Sequence, residues 1–152
     1  MSTHNRSQLN AILRTDLNSF IERCFQWVVR GDTFRPNWHI EAIAWRLSQC
    51  LKGVIRRLII TLPPRSLKSI CASVALPAWV LGLDPTRKII CASYSESLAI
   101  KLARDCRAVM QSSWYQEVFR KTRISQDKNT ELECVTTQPK GASASPPRWE
   151  EP

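Results

Sequence analysis

The segment Arg57-Leu58-Ile59-Ile60-Thr61-Leu62-Pro63-Pro64-Arg65-Ser66-Leu67-Lys68-Ser69-Ile70 constrains the chain more than any other. An apolar, partly β-branched run ends at two prolines. A basic, hydroxyl-rich turn then opens onto an amphipathic stretch from Lys68 to about Leu81, so the pattern predicts strand, loop and helix in that order. Unpaired amides in the first turn of a helix, helped by its dipole, surround an anion, while a lysine reaches the outer phosphates and a hydroxyl ligates magnesium. Lys68 and Ser69 occupy the last two roles. In the pattern G-x-x-x-x-G-K-[ST] the glycine positions fall on Leu62 and Leu67, where a Cβ restricts the backbone. The same residues also read as solvated charges, Arg65 and Lys68, at an ordinary helix start.

Around this segment the periodicity changes several times. Leu9, Ile12, Leu13, Leu17, Phe20, Ile21, Cys24, Phe25 and Val28 recur at helical spacing and predict one continuous helix ending at Gly31-Asp32. Asn37 is a cap candidate for a second helix over Trp38–Leu51, with Trp38, Ile40, Ile43, Ala44, Leu47 and Leu51 on its apolar side. Beyond the loop, Pro77 requires a kink or an early stop, because it has no amide donor and clashes with the preceding turn. Lys88–Ser93 reads as a second strand buried on both faces. Ser95 or Ser97 caps a helix whose buried stripe is Leu98, Leu102, Cys106, Val109 and Met110, and a short helix follows around Trp114–Phe119. Thr130–Thr136 alternates enough for a third strand.

The run Leu62–Ser69, then Pro77-Ala78-Trp79, then Cys91-Ala92-Ser93-Tyr94-Ser95-Glu96-Ser97-Leu98-Ala99, then Ser113-Trp114-Tyr115, resembles the large terminase subunit of tailed bacteriophages and prophages. The similarity runs from about Phe34 to Thr137. The resemblance implies a partial three-layer α/β, P-loop NTPase-like domain with parallel central strands and N-terminal helices. It implies ATP and Mg2+ as ligands, held by Arg65, Ser66, Leu67, Lys68 and Ser69, with Ser69 on the metal and Arg65 at the γ-phosphate. Phe34, Trp38 and His39 resemble the region flanking the adenine pocket; read locally, Phe34 and Trp38 form a hydrophobic staple and His39 is a polar surface residue. Ser93 and Ser95 resemble a block beside the phosphate loop; read locally, they are strand-end and cap hydroxyls.

In that family the partners are double-stranded DNA, a portal protein and a small terminase subunit, and the setting is the cytoplasm of a bacterial host. No apolar strand ending in Asp or Asp-Glu follows the loop, and the carboxylate cluster of a terminase nuclease is missing, so no catalytic residue is assigned. The expected organisation is a helical part over 1–53, an incomplete α/β core over 54–137 and an aberrant tail over 138–152, where periodicity is lost. The resemblance then implies the front of a terminase ATPase, with the family's reading frame left between about Gln138 and Ala144. Two other readings stand beside it. A net charge of +9, with the cluster Arg120-Lys121-Thr122-Arg123, fits a nucleic-acid-binding module without ATPase activity. The inert product of a decayed prophage gene fits neither activity. The six cysteines contain no C-x-x-C pair and mostly sit in apolar patterns, which predicts reduced thiols rather than disulfides or zinc ligands. No run approaches the roughly 20 apolar residues of a membrane span.

Overall fold

A computed structural model describes residues 3–129 and 134–137 of the chain. The chain opens with two helices, α1 (Thr3–Thr15) and α2 (Leu17–Val28), where one continuous helix is expected. The break lies at Asp16, whose extended backbone and carboxylate make it the N-cap of α2. Its oxygens accept hydrogen bonds from the Ser19 amide at 2.8 Å and the Asn18 amide at 3.3 Å. Such a cap is worth about 1 kcal/mol, and here it overrides an unbroken apolar period. The reorientation also explains why Leu9 and Ile12 are exposed while Leu13 and Leu17 are buried.

The next helix, α3 (Trp38–Leu51), matches the expected bounds. It buries Ile40, Ile43, Ala44 and Leu47 and leaves Trp38 exposed. Asn37 sits at the cap position but its side chain makes no cap bond.

Pro77 does not shorten its helix; the winding changes instead. A π-helical segment (Ile70–Ala75) runs into α4 (Leu76–Leu83), and Pro77 falls in the first positions of α4. The Leu76 amide donates to the carbonyl of Cys71, five residues back. One extra residue in the turn therefore absorbs the absent proline donor, as π-bulges do. The remaining helices are α5 (Glu96–Gln111) and α6 (Ser113–Val118), the latter capped by Ser112, whose Oγ accepts from the Tyr115 amide at 3.3 Å.

The expected three-layer α/β arrangement with parallel central strands does not form. Among the described residues the fold is mostly helical, and its sheet is a two-stranded antiparallel ribbon of β1 (Arg123–Asn129) and β2 (Cys134–Thr137). The expected first and second strands, 55–62 and 88–93, belong to no ladder, and Ile59 and Ile90 are 90% and 95% exposed. A strand is stabilised by its cross-strand partners and by cover on its faces. Neither run has a hydrogen-bonded neighbour here, and the helices bury one another instead. Of the expected third strand, Cys134–Thr136 lies in β2 and pairs with the polar run Arg123–Asn129; residues 130–133 and the tail over 138–152 lie outside the described residues.

The core is one cluster to which α1 contributes Leu13 and α2, α3, the π segment, α4, α5 and α6 contribute the rest, with Phe119 just beyond α6. At its centre Phe20 sits 5.5 Å from the Trp114 ring, 5.9 Å from Phe119 and 6.2 Å from Tyr115. Tyr115 is fully buried and satisfies its hydroxyl on the Ala78 carbonyl at 2.7 Å. Trp79 donates its indole N–H to the Leu13 carbonyl at 3.0 Å, tying α4 to α1.

Cys24 and Cys71 lie in this core, Cys50 and Cys106 are half-buried, and Cys91 is exposed; all five are free thiols. Burial pushes the Cys24 thiol well up and the Cys71 thiol up to about 11. Only the thiolate alkylates. Burial raises the Cys91 thiol as well, but its side chain is exposed, so iodoacetamide labelling followed by peptide mass spectrometry should modify Cys91 before Cys24 and Cys71, which should react only after denaturation; early labelling of Cys24 would contradict this packing.

Candidate anion-binding loop

The loop begins where the extended run 55–62 meets Pro63. Ser66 Oγ donates to the Pro63 carbonyl at 2.8 Å and closes the turn. Arg65 and Leu67 both adopt left-handed backbone, with φ of 64° and 59°. For a side-chain-bearing residue this costs roughly 1–2 kcal/mol each, so two in three residues mark a backbone held in an unusual shape. Left-handed residues alternating with right-handed ones turn successive N–H groups into an anion-binding concavity. The helix starts immediately afterwards: Lys68 and Ser69 are already helical, and the Cys71 amide donates to the Leu67 carbonyl at 3.0 Å. Among the described residues the amides of Ser66, Leu67, Lys68 and Ser69 have no acceptor.

Lys68 is half-buried, and its Nζ donates to the carbonyls of Leu62 and Pro63, the latter at 3.2 Å. The ammonium is thereby folded back over the loop. Ser69 is exposed and its hydroxyl makes no cap bond, leaving an oxygen free for a ligand at the helix start. Arg65 is exposed. From Gly53 to Leu83 the sequence contains Arg56, Arg57, Arg65 and Lys68 and no acidic residue, so the local charge is positive throughout.

One glycine position of the nucleotide-loop pattern, Leu67, thus has a backbone that glycine would adopt without strain; Leu62 does not. The pattern's spacing was the only sequence signal for this, since leucine does not itself favour positive φ. The tethering of Lys68 by loop carbonyls had no sequence signal at all.

The residues expected around a base are not brought to the loop. Phe34 is half-buried against Phe25 at 5.4 Å, Trp38 is 75% exposed, and His39 meets the Trp38 ring edge at 6.2 Å. Among the described residues no hydrogen bond or ring contact joins Phe34, Trp38 or His39 to Arg65–Ser69. The Ser93–Ser95 block likewise makes no hydrogen bond to the loop. Ser93, with Ile89 and Cys91, instead lines a cavity of about 160 Å³ shared with Ser73, Pro77 and Met110. Ser95 stands at the cap position of α5, but its hydroxyl bonds the Ser97 hydroxyl at 2.8 Å rather than a backbone amide.

Compared with protein-family models, with curated proteins and with solved structures, the chain matches none. Among the described residues no cluster of His, Cys, Asp and Glu is placed to hold a metal, and no helix is long and apolar enough to cross a membrane.

Proposed function

We propose that Leu62–Ser69 is a phosphate-binding loop for Mg-ATP, and that the chain carries the nucleotide-holding part of a DNA-packaging ATPase of the large-terminase type. In this reading Lys68 leaves its loop carbonyls to compensate the β- and γ-phosphates, Ser69 ligates the magnesium and Arg65 meets the γ-phosphate. The amides of Ser66–Ser69 surround the phosphate oxygens. The partners of such a motor are double-stranded DNA, a portal protein and a small terminase subunit. The observation that carries the reading is the pair of left-handed residues, Arg65 and Leu67, placed directly before Lys68 and a helix N-terminus. Bound magnesium supplies charge neutralisation at the outer phosphates; the residues fit that role through the unpartnered Ser69 hydroxyl. No residue is assigned to activating water, so turnover is expected at background.

Isothermal titration with Mg-ATP tests the reading. Hydrogen bonds to charged groups contribute about 1.5–3 kcal/mol, so Lys68→Ala should weaken binding by roughly 10- to 100-fold. Ser69→Ala should weaken it in magnesium but not in EDTA. Equal affinity of the wild-type and Lys68→Ala chains, with both folded by circular dichroism, would contradict the assignment.

A further inference from the structure

A second basic feature is built from residues near the start of the chain and residues well beyond the loop. Residues Arg6, Ser7, Asn10 and Arg14 of α1, with Glu117 of α6 and Arg120 just after it, line a cleft of about 530 Å³. The size falls within the range of small-ligand sites, about 300–1,000 Å³. All six lining residues are polar, and the three arginines outnumber the one carboxylate. Among the described residues Arg6, Arg120 and Glu117 have no hydrogen-bond or ion-pair partner. Arg14 uses only its Nε, donating to the Asn10 carbonyl at 3.1 Å, which leaves the outer guanidinium nitrogens free.

Three guanidinium groups brought together by elements about a hundred residues apart repel one another, and among the described residues the one carboxylate beside them, Glu117, forms an ion pair with none of them. The neighbouring basic residue behaves differently: Arg123 is spent on the carbonyls of Phe119 and Thr122, at 3.3 and 2.8 Å. The cleft therefore differs from the expected cluster at 120–123, taking only Arg120 from it and two arginines from α1. Arginine's planar fork matches phosphate oxygens two at a time. Arg6 and Arg14 lie eight residues apart on one helix, which sets their Cα atoms roughly 12 Å apart along its axis. That is too far for one phosphate and suits several in a row.

We propose that the α1–α6 cleft binds a chain of phosphate groups, gripped by Arg6, Arg14 and Arg120. Two sources share this chemistry, the backbone of a nucleic acid and a free polyphosphate. The inference does not rest on the nucleotide loop.

Fluorescence anisotropy of the full chain with a short labelled DNA duplex, with inorganic tripolyphosphate as a second ligand and competitor, tests it. Each phosphate contact contributes about 0.9 to the slope of log K against log[salt]. R6A/R14A/R120A should thus flatten the slope by about 2.7 and weaken binding at low salt by at least tenfold. R30A/R35A/R56A, which removes the same charge from other exposed segments, should leave the slope nearly unchanged. Glu117→Gln, which removes the opposing charge, should tighten binding a few-fold, a gain that misfolding does not produce. Duplex binding that tripolyphosphate displaces only weakly assigns the backbone as the ligand; tripolyphosphate binding that R6A/R14A/R120A abolishes, without duplex binding, assigns the free ion. Equal losses in the two triple variants, an unchanged Glu117→Gln, or no binding of either ligand would overturn the proposal.

Discussion

Phe20→Ala should lower the free energy of unfolding by about 3–5 kcal/mol, the usual cost of deleting a buried phenylalanine ring. Phe20 is fully buried and its ring touches Trp114, Tyr115 and Phe119, so it joins α2 to α6. The three partners are themselves locked. Trp114 carries the Arg23 guanidinium over its face at 5.4 Å, and Tyr115 is held by the Ala78 carbonyl. A cavity left by the ring cannot readily collapse, which puts the loss at the upper end of that range. Domains of this size are stable by only about 5–15 kcal/mol. Urea denaturation followed by tryptophan fluorescence should show a large drop in midpoint; a midpoint within experimental error of the wild type would refute this core.

Gly82→Ala is the second large effect, and two terms of opposite sign decide it. Gly82 is the penultimate residue of α4, so the preference for alanine over glycine, about 1 kcal/mol in a helix interior, is at most that here. Against that, a Cβ at Gly82 would lie 2.6 Å from Cγ and Cδ2 of Phe119 and 2.8 Å from Cδ1. The Phe119 ring is 4% exposed and wedged against Tyr115 at 4.9 Å and Phe20 at 5.9 Å, so it cannot swing clear. Overpacking of this kind costs about 1–3 kcal/mol, and with the ring wedged in place the steric cost should win, for a net loss of up to about 2 kcal/mol. The coupling has a further consequence. In Phe20→Ala the Phe119 ring gains room to move, so Gly82→Ala should cost less there than in the wild type, a non-additivity that a double-mutant cycle measures. Additive losses would show that Phe119 does not transmit the strain.

The helices were legible where their signals are local. Trp38–Leu51 carries its own period and α3 has those bounds, burying Ile40, Ile43, Ala44 and Leu47 but not Trp38; of the expected α5 stripe Leu98, Leu102, Cys106, Val109 and Met110, all but Leu98 join the core cluster. The break at Asp16 was missed because the apolar period runs through it unbroken, whereas capping depends on one carboxylate. The π segment was missed because only the general disfavour of Pro77 is written in the sequence, not the way the turn absorbs it. Sheet structure was read wrongly for a different reason. Ile55–Leu62 and Lys88–Ser93 have the composition of buried strands, but strand pairing is a relation between distant segments, and composition does not state whether a partner exists. Conversely, Arg123–Asn129 pairs although its polar sequence gave no strand signal. At the candidate loop the pattern's spacing coincides with left-handed backbone at Leu67 and not at Leu62; the aromatic residues at Phe34 and Trp38, proposed by resemblance alone, make their ring contacts elsewhere, with Phe25 and His39.

The central claim is that a strained left-handed backbone before Lys68 serves to hold phosphate, and Leu67→Gly separates that from incidental strain. Glycine at φ 59° removes roughly 1–2 kcal/mol of steric cost while leaving Lys68, Ser69 and every loop amide in place. The decisive measurement is Mg-ATP affinity, by calorimetry, of wild type, Leu67→Gly and Lys68→Ala in parallel. Leu67→Gly should bind at least as tightly as wild type and Lys68→Ala at least tenfold more weakly; three indistinguishable titrations, or none that binds, would rule out a phosphate-holding role for the loop.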